Sequence, residues 1–205
     1  WKKKDSRIVY VHLAHSGRIA KVSNAGLKKA AGEYVAILDD DDWWADAAKL
    51  EEQIQFLDKS KDYVGCGGGF IVVDDEGHET GRFLKPETNE DIKARALVAN
   101  PMSNSTTMFR RAVALEIGGY DETMWQFADW DFWLAMGVRG KLYNFPKYFL
   151  YYTMWAEGSS FRKQREAAAS AIRSVWRHRK QYSWFPPALF RAVTYFMYTL
   201  VPEGI

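Results

Sequence analysis

Apolar residues in this chain fall into short runs and regular periods that alternate along its length. Residues 7–12 (Arg-Ile-Val-Tyr-Val-His) are rich in β-branched and aromatic side chains and predict a short strand. From 19 to 31 the apolar positions Ile19, Val22, Leu27 and Ala30 recur at helical spacing, and Gly32 marks a stop. Residues 34–38 form an unbroken apolar run, as a buried parallel strand would. Leu50, Ile54 and Leu57 then mark one face of an amphipathic helix ending near Asp58. Strand, helix, strand, helix in that order predicts an α/β sheet.

The second half continues the alternation. Residues 64–73 are a further apolar run, and Asp74-Asp75-Glu76-Gly77 is a turn leading into 79–84, which predicts a hairpin. A polar helix is expected over 89–98, a strand over 105–109, and a short helix over 110–117 that Gly118-Gly119 breaks. Residues 129–136 read as helix, 141–145 and 148–153 as two edge strands, and 161–181 as a long basic helix. Gly67-Gly68-Gly69 has no following Lys-Ser/Thr pair or helix start, so it reads as close packing or a bulge rather than a phosphate loop.

The last stretch is different in kind. Between Ala188 and Val201 the only charge is Arg191, and Phe190, Tyr195, Phe196 and Tyr198 supply rings. Fourteen residues are too few for the ~20 that cross a bilayer. With a basic helix upstream, an in-plane helix over 184–201 in peripheral contact with a membrane is the expectation, and a helix docked on the domain or in a dimer is the alternative. Net charge sharpens the contrast: residues 151–205 carry +5 and residues 1–150 carry −3. No nucleic-acid motif accompanies the basic segment, so no nucleic-acid partner is expected. Nine tryptophans leave two uses for the rings, a large core or faces lining a sugar site. The single Cys66 excludes an intramolecular disulfide framework and suits a reducing compartment. The expected location is therefore cytoplasmic, at the inner face of the membrane.

Four carboxylates in a row, Asp39-Asp40-Asp41-Asp42, follow the apolar run 34–38. In open α/β sheets ligands gather at the carboxyl ends of strands. Adjacent acids repel one another unless a cation joins them, and hard oxygen ligands select Mg²⁺, Mn²⁺ or Ca²⁺. Strand alternation would place Asp39 and Asp41 on one side, a partial site completed by water and a diphosphate. A solvated turn or a helix start explains the same residues without a metal. Further on, Asp129 stands between Ala128 and Trp130, with Asp131 and Trp133 beyond. Helix capping would account for it; so would a carboxylate in a semi-apolar cleft with a raised pKa, ready to accept a proton.

The run from Ser23-Asn24-Ala25-Gly26-Leu27 through Gly32-Glu33-Tyr34-Val35-Ala36-Ile37-Leu38 to the quartet resembles the core signature of family 2 glycosyltransferases. Gly118-Gly119-Tyr120-Asp121-Glu122 followed by Ala128-Asp129-Trp130-Asp131-Phe132-Trp133-Leu134 resembles that family's acceptor-side motif. The likeness covers about residues 7–155. It implies a GT-A (Rossmann-like) mixed sheet flanked by helices over 1–155, followed by a basic and amphipathic helical extension over 156–205. It implies that Asp39, with Asp40 and Asn24, contacts the nucleotide, that Asp41 with Asp39 binds Mn²⁺ or Mg²⁺, and that Asp129 is the general base of an inverting transfer. Trp130, Asp131, Thr106 and Thr107 become candidates for the sugar and acceptor side.

The departures from the family pattern are specific. The family's first strands are expected to be missing, with the chain entering at the third. Ser23 stands where an Arg often precedes Asn24, Ala128 stands where a Glu often precedes the base, and residues 151–155 lack a common His. The resulting expectation is a metal-dependent inverting enzyme that moves a sugar from a nucleotide-sugar to a lipid-linked or polysaccharide acceptor. A catalytically silent scaffold domain is the alternative, and a metal-dependent phosphohydrolase a further one.

Overall fold

A computed structural model describes residues 4–154 and 164–201 of the chain. Its elements are α1 (Ile19–Lys29), β1 (Tyr34–Ala36), β2 (Trp43–Trp44), α2 (Lys49–Lys59), β3 (Tyr63–Val73), β4 (Glu79–Phe83) and α3 (Asn89–Arg95). A 3₁₀ turn (Asn104–Thr106) then leads to β5 (Met108–Arg110), α4 (Arg111–Glu116), α5 (Ala128–Arg139), β6 (Lys141–Thr153), α6 (Gln164–Arg177) and α7 (Phe185–Tyr198).

The six strands form one mixed sheet in the order β1-β5-β3-β6-β2, with β4 pairing the far half of β3. The pairs β1–β5, β3–β5, β3–β4 and β2–β6 are antiparallel; β3 and β6 run parallel over nearly their whole length. Three sequence expectations are corrected here. Residues 7–12 are not a strand but exposed irregular chain. β1 is not a buried parallel strand; it is half-buried and antiparallel to β5. Residues 141–153 are one strand in the middle of the sheet rather than two edge strands, because the register shift near Gly68 and Gly69 absorbs the residues around Pro146.

That shift is what the triple glycine allows. A Cβ at Gly68 would stand 2.6 Å from Phe149 and one at Gly69 2.5 Å from the Phe83 carbonyl, so side chains there would force the strands apart. The hairpin from 64–73 into 79–84 is present as β3–β4.

Helix α2 forms as expected but buries a different face. Leu50 and Ile54 are exposed, whereas Lys49, Gln53 and Leu57 face inward. The Lys49 ammonium donates to Gln53 Oε1 at 2.9 Å and lies 4.4 Å from the Trp44 ring centroid. Burial pulls its pKa down to about 8. Gln53 Nε2 in turn donates to the Thr106 carbonyl at 3.0 Å, which fixes the 3₁₀ turn beside the acidic quartet.

One core lies between α1, α4, α5 and the sheet, with Leu27, Phe109, Phe132, Trp133 and Leu142 at its centre. A second joins Trp130 and Leu134 of α5 to Ala171 and Val175 of α6 and Ala188 and Ala192 of α7. The C-terminal helices therefore pack on the helix that carries Asp129. The predicted helix start at 161–163, Trp155 and residues 202–205 lie outside the described residues.

Candidate functional site

The quartet lies beyond the end of β1, not within it. The Asp42 N–H donates to the Asp39 carbonyl at 3.3 Å, which closes a turn. The expected alternation of Asp39 and Asp41 on one strand face is thereby corrected: the turn brings Asp39 and Asp42 together, with Asp40 and Asp41 at its exposed tip. The turn is tied at both ends. Thr153 Oγ1, at the end of β6, donates to the Asp41 carbonyl at 2.7 Å, and Trp44 Nε1 donates to the Ser105 carbonyl at 3.0 Å.

Ser105 sits under the turn. Its Oγ accepts the Asp39 N–H at 3.1 Å, and its hydroxyl acts to lower the pKa of both the Asp39 and Asp42 carboxyls. Burial nonetheless raises the Asp39 carboxyl, and the charges of Asp129, Asp41 and Asp40 push the same way. Asp42 is pushed up to about 6, again chiefly by burial, and its Oδ1 is buried with no hydrogen-bond partner among the described residues. Neither Asp42 nor Ser105 was among the residues that the sequence nominated most strongly. The hydroxyl's position depends on the 3₁₀ turn, which no periodicity announces.

Asp129 is the second residue of α5. Phe127, in the left-handed region at φ 60°, turns the chain into the helix. The Asp129 carboxylate accepts from the backbone N–H of Trp130 and from Asn100 Nδ2, the latter at 2.7 Å. Burial outweighs these bonds and the nearby Lys85 charge, and holds its pKa above the usual carboxylate range. The Asp129 charge is felt at Asp39, and both charges are felt at the buried Tyr120, so the two sequence-distant acids share one site. Asn100 is itself held, its Oδ1 accepting the Met102 N–H at 3.2 Å and its carbonyl accepting from Lys85 Nζ at 3.1 Å. The sequence reading missed Asn100 and Lys85; the dipeptide Asn100-Pro101 was the one local signal of a fixed turn there.

Other nominated residues have different duties. Thr106 and Thr107 are fully buried, with hydroxyls donating to the Ser103 and Asn104 carbonyls at 2.7 and 2.6 Å. They do not face open space, which corrects their assignment to the sugar; it is the preceding residue, Ser105, that reaches the acidic turn. Asp131 is also corrected. It points into the α5–α6 seam, where Arg177 Nη1 approaches at 2.6 Å and His178 Nε2 at 3.1 Å. Trp130 is buried, its Nε1 donating to the Ala96 carbonyl at 2.7 Å.

Asn24 is buried too, and its bonds are used up. It accepts the Tyr120 N–H and donates to the Tyr120 carbonyl, both at 2.8 Å, and also donates to Glu122 at 2.9 Å. It joins α1 to the Gly118-Gly119-Tyr120 turn and is not free to contact a nucleotide. Glycine is required at 119, where φ is +74° and a Cβ would overlap Asn24 Oδ1. The two halves of the sequence signature meet at this contact.

Among the described residues no group of three His, Cys, Asp or Glu side chains forms a metal cage by itself. The quartet does fit a partial site. Its acids repel one another, and Asp42 Oδ1 lacks a partner. An ion there would take its remaining ligands from a diphosphate and water.

The family profile described as Glycosyl transferase family 2 matches residues 1–118. The amylovoran biosynthesis glycosyltransferase AmsE of Erwinia amylovora is 29% identical over 140 residues, which is 68% of this chain and 52% of that protein. The chain thus spans about half the length of this relative. The UDP-Glc:alpha-D-GlcNAc-diphosphoundecaprenol beta-1,3-glucosyltransferase WfaP of Escherichia coli is 36% identical over 73 residues, 36% of this chain and 29% of its own. Among solved structures, the mannosyltransferase PcManGT from Pyrobaculum calidifontis, in complex with GDP-Man and Mn2+, superposes with a TM-score of 0.55 at 13% identity. That match covers 91% of this chain and 55% of the other, and it shows a shared GT-A fold.

Proposed function

The chain belongs to glycosyl transferase family 2, and from that premise we propose that it forms the core of an inverting enzyme transferring a sugar from a nucleotide-sugar to a lipid-linked or polysaccharide acceptor. The observation that carries this reading is that Asp129 and Asp39, distant in sequence, stand near enough for the charge of Asp129 to act on Asp39. One is a half-buried carboxylate with a raised pKa, and the other is anchored in the acidic turn.

In the proposed chemistry Asp129 accepts the proton of the acceptor hydroxyl as that oxygen attacks the anomeric carbon. The nucleoside diphosphate leaves from the opposite side in a single displacement. Asn100 holds the Asp129 carboxylate in place, and Lys85 favours its ionised form. Asp39, with Asp40, faces the nucleotide. Asp41 and Asp39 would hold Mn²⁺ or Mg²⁺, with Asp42 beside them, and the ion when bound would supply counter-charge to the diphosphate. The relative AmsE, by its name, serves polysaccharide biosynthesis, and WfaP, by its name, uses a diphosphoundecaprenol acceptor. Both names support the acceptor class proposed here.

A membrane contact is part of the proposal. Phe190, Val193, Met197 and Val201 line one exposed side of α7 and the turn after it. No helix among the described residues is long and apolar enough to cross a bilayer, so the contact proposed is with its surface.

The test uses the full-length protein. Nucleotide-sugars are titrated by calorimetry with and without Mn²⁺, and transfer is followed by product release. Asp41→Ala is expected to lose the Mn²⁺-dependent part of nucleotide binding. Asp129→Asn is expected to keep it while transfer falls by about 10²–10⁴-fold. Undiminished transfer by Asp129→Asn would refute the base assignment, and phosphate release from simple phosphoesters without acceptor would favour a phosphohydrolase.

A further inference from the structure

An apolar cavity of about 370 Å³ has Asn100 in its lining. Val98, Phe127, Trp130, Ala188, Ala192 and Tyr195 supply its walls, so it is built between the loop after α3, the start of α5, and α7. Its size falls in the range of about 300–1,000 Å³ usual for small-molecule sites. Three features make it more than a packing gap. Asn100 lines it and also donates to Asp129 at 2.7 Å, so it opens beside the proposed base. Arg191 is the only charged residue in its lining; it hydrogen-bonds the Val98 carbonyl and makes no ion pair with a carboxylate among the described residues. The same helix α7 turns its opposite, apolar side outward, with Phe190 and Met197 exposed.

An apolar hole with one unneutralised guanidinium is the complement of an amphiphile with an anionic head. We infer that this cavity holds the head-proximal hydrocarbon of a polyprenyl-phosphate-linked acceptor, with Arg191 at its phosphate and the sugar hydroxyl directed past Asn100 to Asp129. This rests on the transferase reading above and narrows the acceptor to the lipid-linked class. Small residues at Ala188 and Ala192 leave the space: a larger side chain at either would fill it. The reading also gives α7 two faces with separate tasks, the inner one for the acceptor chain and the outer one for the bilayer.

The probe is farnesyl monophosphate, titrated against the full-length protein below its aggregation concentration and read by tryptophan fluorescence. Divalent metal is omitted so that the acidic turn cannot hold the phosphate through an ion. Wild type is expected to saturate, with affinity rising at least tenfold from inorganic phosphate through isopentenyl and geranyl to farnesyl monophosphate. Ala192→Phe, checked for native circular dichroism and unchanged nucleotide binding, is expected to weaken farnesyl monophosphate at least tenfold. Arg191→Gln, at an exposed position, is expected to weaken every chain length severalfold. Affinity independent of chain length would overturn the inference using wild type alone, and so would a folded Ala192→Phe that binds as wild type does. Partition into phosphatidylglycerol vesicles without saturable binding of the monomeric probe would assign the apolar surface to the bilayer instead and overturn it as well. Asp129→Asn separates the two readings: it should bind the probe normally and fail in transfer. If it transfers, the base assignment falls while the cavity stands; if the chain does not bind, the cavity assignment falls alone.

Discussion

Asp129 carries its proposed role because burial of its carboxylate prevails over the groups that favour its ionised form. Burial raises its pKa; the helix-start amide, Asn100 and Lys85 oppose that rise. Asn100 is therefore the residue whose loss should be most informative. Asn100→Ala removes a bond that favours the ionised form, so the pKa of Asp129 rises further. The base is then protonated at higher pH than in wild type. The acid limb of kcat is expected to move upward in pH, with kcat at its plateau lower by about tenfold and nucleotide affinity unchanged. A pH–rate profile checks this; an unmoved acid limb would make Asn100 a purely structural residue. Asp129 itself was legible from the sequence, because it sits between tryptophans at a helix start within a recognisable motif. Asn100 was not, because its link to Asp129 spans 29 residues and depends on where a loop crosses a helix end.

At the level of elements, the seam between α5 and α6 sets how the base-bearing helix is held. Arg177 bridges Asp131 at 2.6 Å and Asp121 at 2.7 Å, and His178 adds a second contact to Asp131. Asp131 is nearly buried, with 7% side-chain exposure, so removing Arg177 leaves a carboxylate poorly paired. Arg177→Met is expected to cost about 2 kcal/mol at pH 7, discounted from a fully buried pair because Arg177 is itself 42% exposed. Burial acts to raise the pKa of Asp121, but hydrogen bonds from Thr123 and Arg177 prevail and bring it down to about 2. A depressed carboxylate contributes stability that is fully present above its ordinary value near 3.8 and is lost as pH falls through about 2. The cost of Arg177→Met should therefore shrink as pH falls from about 4 to about 2, as read from urea midpoints. A cost independent of pH would place the effect in packing alone.

At the level of the whole molecule, the C-terminal helices brace the helix that carries the proposed base. α6 and α7 share a core with Trp130 and Leu134, so both are packed on the same helix that presents Asp129. Its outer surface remains apolar: Phe190 is 75% exposed and Met197 57%. Phe190→Ser combined with Met197→Ser is expected to leave unfolding midpoints within about 0.5 kcal/mol while lowering co-sedimentation with phosphatidylglycerol vesicles severalfold. Binding by the double variant equal to that of wild type would remove α7 from any membrane contact. The net positive charge of residues 151–205 adds a second expectation, that vesicle binding weakens as salt rises.

The sequence by itself determined the order and kind of most elements, since apolar period and glycine position act over a few residues. It also determined that an acidic run follows the apolar segment 34–38 and that Asp129 opens a helix, because both lie in local motifs; that the run closes into a turn was decided by the packed chain. Tertiary structure decided what depends on contacts between distant segments. Residues 7–12 have strand-forming side chains but pair with no strand among the described residues, and β1 found an antiparallel partner in β5 rather than a parallel one. Helix α2 buried Lys49 and Gln53 in place of Leu50 and Ile54, because the 3₁₀ turn beneath it offers the Thr106 carbonyl as an acceptor. Asn24, Thr106, Thr107 and Asp131 were drawn into holding the scaffold, while Ser105, Asp42 and Asn100 were brought to the acids. A polar residue's type says that it needs a partner; only the packed chain says whether that partner is the protein's own backbone or an open site.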